Sequence, residues 1–166
     1  RGFDVEIVRP TLGEHGVPIS SSAVRTSIAH GDLEHARIAL GRPYSFRGTV
    51  VTGDGRGRDL GYPTVNIRLA STRKLLPPPG VYAVHAKSRR GAFGGMMNLG
   101  SRPTFGDYEL SLEVHLFDTS GDWYGEHISV EMVRRLRDTT RFPSVDALIE
   151  QLGRDAVDAR LALTQT

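Results

Sequence analysis

The chain of 166 residues has no cysteine, which excludes disulfides, thiolate nucleophiles and Cys-ligated zinc. It is poor in aromatics, at 7% with one tryptophan. Binders of single-stranded nucleic acid interleave aromatics on a basic strand face, and no stretch has that pattern. Charge of one sign is also scarce. The 21 basic and 19 acidic residues leave a net charge of +2, too little to direct the chain to polyanions. No nucleic-acid partner is therefore expected. No apolar run approaches the roughly 20 residues that span a bilayer, and no leader peptide is visible. Neither a membrane partner nor export is expected, and the cytoplasm is the default location. The first residue is an arginine, which suggests a piece of something longer. Apolar content is a modest 39%, and the length suits one domain, or one domain with part of another.

Glycine is what the chain has in excess, with 19 residues. They are densest in Gly53–Asn66, which reads Gly-Asp-Gly-Arg-Gly-Arg-Asp-Leu-Gly-Tyr-Pro-Thr-Val-Asn. A glycine backbone can approach a ligand closely. Backbone N–H groups around Gly53 and Gly55, with Arg56 and Arg58 beside them, suit a phosphate. Thr64 and Asn66 are two apart, so on a strand they share a face. Two neutral oxygens there suit Mg²⁺, which keeps waters and leans on substrate phosphates. The segment is not a P-loop, since no Gly-Lys-Ser/Thr follows, nor a dinucleotide fingerprint, since it leads into a strand. It should therefore hold phosphate without a helix dipole. The plain alternative is a surface hairpin with permissive turn residues.

Around this segment the chain changes character twice. Residues 3–8 alternate apolar and acidic and read as a short strand, and residues 9–19 read as a loop. Ser20–Ser22 offer N-caps for a helix over 23–30, and Asp32 caps a second over 33–40 closed by Gly41. Two such helices look like the end of a preceding domain or a linker hairpin. From Tyr44 onward, strand signals at 45–52, 64–69, 80–87, 92–98, 109–117 and 127–135 are separated by Gly and Pro turns. Six strands without intervening helices predict a mainly β, antiparallel barrel or sandwich. Past Pro143 the period becomes helical. Val145, Leu148, Ile149, Leu152, Ala156, Ala159 and Leu163 mark one face, with Ser144 as N-cap, for a helix closing one end of the sheet.

The fifth strand is the clearest. Tyr108, Leu110, Leu112, Val114 and Leu116 alternate with Glu109, Ser111, Glu113 and His115. Glu113, a carboxylate on the polar face, is a candidate general base, against the plainer reading of a solvated glutamate. Phosphoryl transfer to an alcohol needs a proton acceptor, a metal and donors for the phosphates. Glu113, Thr64 with Asn66, and the glycine loop would supply them if the fold brings them together. The segment 98–106 is either a hairpin connection or a flap, and Trp123-Tyr124 either a turn cluster or a ring-stacking pair.

Gly61-Tyr62-Pro63-Thr64-Val65-Asn66 resembles the Gly-Phe-Pro-Thr-Ala-Asn signature of riboflavin kinases. The likeness continues through Asn98–Phe105, Leu112-Glu113-Val114-His115, Trp123-Tyr124-Gly125 and 136–142, and covers roughly 42–163. Tyr62 stands for the usual Phe and Val65 for the usual Ala. The resemblance implies a six-stranded antiparallel Greek-key barrel with a C-terminal helix, and transfer of the ATP γ-phosphate to the 5′-hydroxyl of riboflavin, giving FMN. It implies Mg²⁺ and phosphates at Thr64 and Asn66, ATP along Gly53 and Arg58, and Tyr124 at the nucleotide. Glu113 would be the base, and Arg137, Thr140 and Phe142 would lie near the flavin. Ile19–Arg25 is similar to a motif of the adenylyltransferase module in the bacterial bifunctional enzyme. Residues 1–41 are thus expected to be the end of a covalently linked adenylyltransferase module, and 42–166 the kinase domain. The rival from another class is a non-catalytic β-barrel binding module for RNA or another ligand.

Overall fold

A computed structural model describes residues 2–7, 9–13, 16–53, 55–103 and 108–165, of which 101–103, 108 and 109 by backbone only. Six antiparallel strands close into a barrel: β1 (Tyr44–Val51), β2 (Val65–Leu69), β3 (Gly80–Ser88), β4 (Gly91–Pro103), β5 (Tyr108–Leu116) and β6 (His127–Arg137). Their order around the wall is β1-β2-β5-β4-β3-β6. Closure removes the sheet edges that would otherwise pair with other chains. Strand boundaries match the periodicity within a residue or two, except that β4 runs five residues beyond its expected end. It pairs with β5 over its whole second half, from Gly95↔Leu116 to Pro103↔Tyr108.

Alternation decides what fills the barrel. Tyr82, Val84, Met97, Leu99, Leu112, Val114, Val130 and Met132 pack inside it with Phe46 and Ile67. A small barrel's lumen is filled by such side chains and leaves no channel. The opposite face of β3 is buried as well, because α4 (Val145–Thr164) lies across β3, β4 and β6. Ala83, Met96 and Phe117 meet Ala159 and Ala162 there in a second, smaller core. The helix begins where Ser144 accepts a hydrogen bond from the Ala147 N–H at 3.2 Å, a cap worth about 1 kcal/mol. Leu152, Ala156, Ala159 and Leu163 of the expected stripe pack on the sheet, but its first turn does not. Val145 is 60% exposed and Ile149 lies at the margin, whereas Asp155 and Ala162 are buried. The face runs Leu148–Leu152–Asp155–Ala159–Ala162, a heptad-like i, i+4, i+7 progression. Hydrophobicity finds the aliphatic members of this face and passes over Asp155, the charged residue in its middle.

The N-terminal region departs from expectation more sharply. Residues 2–7 form no strand, and Phe3, Val5 and Ile7 are exposed. Among the described residues no partner strand lies beside them, and an unpaired strand does not persist in water. Val8 and His15 lie outside the described residues. Within 9–19, Leu12 bridges Pro18. The helices α1 (Ser21–Ala29) and α2 (Leu33–Leu40) form as expected, with Ser20 and Asp32 capping them and a left-handed Gly41 ending the second. They do not stand clear of the barrel. Helix α2 packs on β6 and β1, and Ile28, Leu33 and Ala36 join the barrel's main core cluster. The Pro-rich loop ahead of β3 is pinned by side chains. Tyr44 Oη donates to the Leu75 carbonyl at 2.6 Å, Tyr82 Oη to that of Pro78, and Arg135 Nη2 to that of Pro79 at 2.8 Å.

One ion-pair cluster joins the β3–β4 turn to the β5–β6 connection. Glu126, a buried residue, accepts from Arg89 Nη2 at 2.7 Å and Arg90 Nε at 3.2 Å. Arg90 also lies 4.6 Å from the centre of the Trp123 ring, a cation–π contact. The Arg89 hydrogen bonds, with further attraction from both arginines, hold the Glu126 carboxyl below its ordinary pKa. A depressed folded pKa stabilises the protein at pH values above the unfolded pKa, and that stability is lost as pH falls through the folded value. Glu126→Gln should therefore lower the thermal midpoint at pH 7, and the gap from wild type should start to narrow only as pH falls past the ordinary glutamate value of about 4.3 and close below the depressed folded one. A gap unchanged in acid would mean that packing, not charge, had been lost.

Candidate active site

The polar chemistry lies on the outer face of the barrel wall, because the inner face is committed to the core. On β5, Leu112, Val114 and Leu116 point inward, which turns Ser111, Glu113 and His115 outward. Leu110, expected on the apolar face, is 45% exposed near the strand's start. Glu113 is directly opposed by Asn66 on β2 and by Asn98 on β4. Opposed residues of an antiparallel ladder share a face. The same row continues from Asn98 to Val81 on β3 and from Val81 to Arg137 on β6. Residues up to 71 positions apart along the chain, Asn66 and Arg137, thus lie on one line across five neighbouring strands. Ser111 Oγ donates to Glu113 Oε1 at 2.9 Å, fixing the carboxylate's orientation.

Two cavities flank this row. One, of about 720 Å³, is walled by Gly53, Gly55, Arg58, Thr64, Asn66 and Tyr124. All six expected nucleotide residues therefore line one space. Its floor is the β1–β2 connection, which is not purely loop as expected. Gly55, left-handed at φ 73°, starts a single helical turn, α3 (Arg56–Asp59), and the Tyr62 N–H closes back on the Gly57 carbonyl at 2.8 Å. One turn aligns too few peptides for a useful dipole, so Arg58 and the glycines remain what this floor offers an anion, while Arg56 lines the other cavity. A Cβ at Gly53 would overlap the side-chain amide of Asn66, so any larger residue there must displace that side chain. The aromatic pair divides its roles. Trp123 is buried edge-on against Phe93, with ring centres 5.2 Å apart, while Tyr124 is 67% exposed at the rim. Trp123 is therefore wall, and Tyr124 alone has a face open to a ligand.

The second cavity, of about 600 Å³, lies between the β4–β5 wall, the segment after β6 and α4. Glu113, Arg137, Thr140 and Phe142 line it, and so does Thr64. Thr64 is thus common to both spaces. It sits just ahead of β2, in a segment tied to β5. His115 Nδ1 is 2.8 Å from the Pro63 carbonyl, and since a carbonyl only accepts, Nδ1 carries the proton. The His115 ring meets Tyr62 edge-on at 5.3 Å. Residues 104–107 of the expected flap lie outside the described residues, and 98–103 continue β4.

Three contributors escaped sequence reasoning. Asn98 enters the sequence reading only within the 98–106 hairpin connection or flap, yet it stands opposite Glu113. Ser111 is two residues from Glu113, so its position was legible but its bond was not. Asp155 is 1% exposed on α4 and receives Arg137 Nε and Nη2 at 2.8 and 2.6 Å. Removing one partner of such a buried pair costs about 3–5 kcal/mol, against about 0–1 for exposed pairs such as Arg37–Glu34.

A family model described as Flavokinase, riboflavin kinase, matches residues 40–163. The chain belongs to the riboflavin kinase family. The bifunctional riboflavin kinase/FMN adenylyltransferase of Bacillus subtilis (strain 168) is 40% identical over 153 residues, which are 89% of this chain and 48% of that protein. The protein of the same description from Escherichia coli (strain K12) is 42% identical over 160 residues, 96% of this chain and 50% of that protein. The chain therefore spans about half the length of these curated relatives. A crystal structure described as a macrolide-efflux protein from Streptococcus pneumoniae shares the fold at TM-score 0.82 and 41% identity, covering 89% of this chain and 48% of that one. Among the described residues of this family member, no helix is long and apolar enough to cross a membrane.

The overlap at Gly53 is testable without any ligand. Gly53→Ala should leave the barrel folded but force the Asn66 amide to rotate, moving its side-chain resonance in an amide NMR spectrum. An unmoved Asn66 resonance in folded variant protein would show that the backbone, not Asn66, gives way.

Proposed function

We propose that this chain transfers the γ-phosphoryl group of ATP to the 5′-hydroxyl of riboflavin's ribityl chain, forming FMN and ADP. Family membership supports the reaction. The observation that carries its assignment to this surface is the pair of cavities meeting at Thr64, with Glu113 on the side of the second. The first, floored by glycines and Arg58, takes the nucleotide, with Tyr124 against its base. The second takes riboflavin, with Arg137, Thr140 and Phe142 near the ring and the ribityl chain leading to Glu113.

In this arrangement Glu113 accepts the proton of the attacking hydroxyl. The hydroxyl oxygen forms a bond to the γ-phosphorus, the bond from that phosphorus to the β–γ bridging oxygen breaks, and ADP leaves with the electron pair. Ser111 holds the carboxylate in place by donating to Oε1. Arg58 and the N–H groups of the glycine turn balance phosphate charge. Thr64 and Asn66 would hold Mg²⁺ against the ATP phosphates, where it would neutralise charge on the transferred group. Among the described residues no three His, Cys, Asp or Glu cluster as a metal cage. Two neutral oxygens that rely on substrate phosphates and water suit Mg²⁺ better than any metal needing such a cage.

Residues 1–41 are, on the same proposal, the end of an adenylyltransferase module. Its full-length parent would also convert FMN to FAD in the cytoplasm, a step this chain does not perform alone. The family model begins at residue 40, and the relatives named above carry both activities in their descriptions.

Incubation with riboflavin, ATP and Mg²⁺ should yield FMN by chromatography. Folded protein that makes none would overturn the proposal and favour a non-catalytic binding barrel. Glu113→Gln should lower kcat by about 10²-fold or more with the fold intact, and full turnover in that variant would remove Glu113 as the base. Asn66→Ala should raise the Mg²⁺ concentration needed for half-maximal rate, whereas an unchanged requirement would count against Asn66 as a ligand.

A further inference from the structure

Asp155 is a buried charge in the middle of a helix face that otherwise packs small and aliphatic residues onto the sheet. Fold stability does not explain it, since an apolar residue of similar volume commonly serves a core as well or better. Its surroundings point elsewhere. Asp155 and Arg137 both line the second cavity. Arg137 Nε reaches Asp155 Oδ1 at 2.8 Å and Oδ2 at 3.1 Å, Nη2 reaches Oδ2 at 2.6 Å, and Nη1 donates to the Asp138 carbonyl at 2.9 Å. Asp155 is itself held, because Gln151 Nε2 donates to its Oδ1 at 2.8 Å. Gln151 is steadied in turn by Arg154 Nη2, which donates to its Oε1 at 2.9 Å.

A guanidinium has five N–H donors. Three hydrogens, on Nε, Nη1 and Nη2, are committed to Asp155 and Asp138. Among the described residues the other two meet no acceptor. The guanidinium also lies 5.6 Å from the centre of the Phe142 ring. Arg137 is thus a cation with its plane and position fixed from behind, two donors in reserve, and an aromatic neighbour.

We propose that Asp155, braced by Gln151, is the positioning residue that sets Arg137 for riboflavin, so that the two uncommitted N–H groups meet acceptor atoms of the flavin. Asp155 touches no substrate and acts through Arg137 alone. The inference rests on the kinase reading, in that it needs riboflavin in the second cavity. A pre-set donor pair spares the entropy of ordering a long side chain on binding. Loss of Asp155 therefore weakens riboflavin and leaves the nucleotide side alone.

The test is Asp155→Asn in the full chain, with steady-state kinetics in both substrates, riboflavin affinity from flavin fluorescence without ATP, and a thermal melt. The riboflavin KM and dissociation constant should rise about tenfold, the loss expected of one charge-assisted contact, with kcat and the ATP KM within about twofold. Arg137→Gln should raise the riboflavin KM similarly, and adding Asp155→Asn to it should change that KM no further. Should Asp155→Asn fail to fold, Gln151→Ala replaces it, with a smaller rise confined to riboflavin. An unchanged riboflavin KM in the folded variant overturns the inference. So do equal losses toward both substrates, or additive losses in the double variant, because a merely structural role gives those. If wild type makes no FMN and binds no riboflavin, the kinase reading itself fails and takes this inference with it. If wild type is active and the variants are normal, only the inference fails.

Discussion

The filled lumen of the barrel is the constraint on which everything else rests. Six short strands can close only if their inward side chains pack without voids, and Tyr82, Met97, Leu99, Val114 and Met132 do so with essentially no exposure. No polar group can then sit inside without a partner. The chemistry is driven to the outer face, and the two-residue period of the strands decides which side chains reach it. Glu113 faces outward because Leu112 and Val114 face inward. A one-residue slip of β5 would bury Glu113 and expose its neighbours. Register across five strands is thus the physical basis of the site.

An outward-facing site needs walls, and elements outside the barrel supply them. Helix α4 roofs the second cavity and brings Asp155 to Arg137. The single turn Arg56–Asp59 stands between the two cavities, with Arg58 on the first and Arg56 and Gly57 on the second. Tyr62 belongs to the same packed layer as α4, with its ring against His115 and within the smaller core cluster. The connection that carries the glycines is therefore anchored at its end while its middle stays open.

Much of this was legible in the chain. Strand positions followed from alternation between Gly and Pro punctuation, and α1, α2 and α4 from their caps. The residues expected to touch nucleotide cluster in one space and those expected near flavin in another. The failures share a cause. Phe3, Val5 and Ile7 alternate as a strand should, yet alternation reports amphipathicity and not the presence of a partner. The stripe of α4 holds through Leu152, Ala156, Ala159 and Leu163 but was extended to the exposed Val145 and Ile149, and hydrophobicity alone cannot see that Asp155 is buried when an arginine meets it. Asn98 meets Glu113 only through the exact β4–β5 register, and the reach of the row to Asn66 and Arg137 depends on the β2–β5 and β3–β6 pairings, which are not sequential. That information is absent from local pattern.

Thr64 belongs to both cavities, and this places one short segment under two masters. Pro63 is tied to His115 on β5, and Thr64 beside it lines both spaces, so a displacement of Thr64 would change the wall of both at once. Linkage then works in both directions by the same factor. Whatever free energy an occupant of the glycine-floored space lends to its neighbour, the neighbour returns in full. Two ligands held in these spaces would have Thr64 as their common wall.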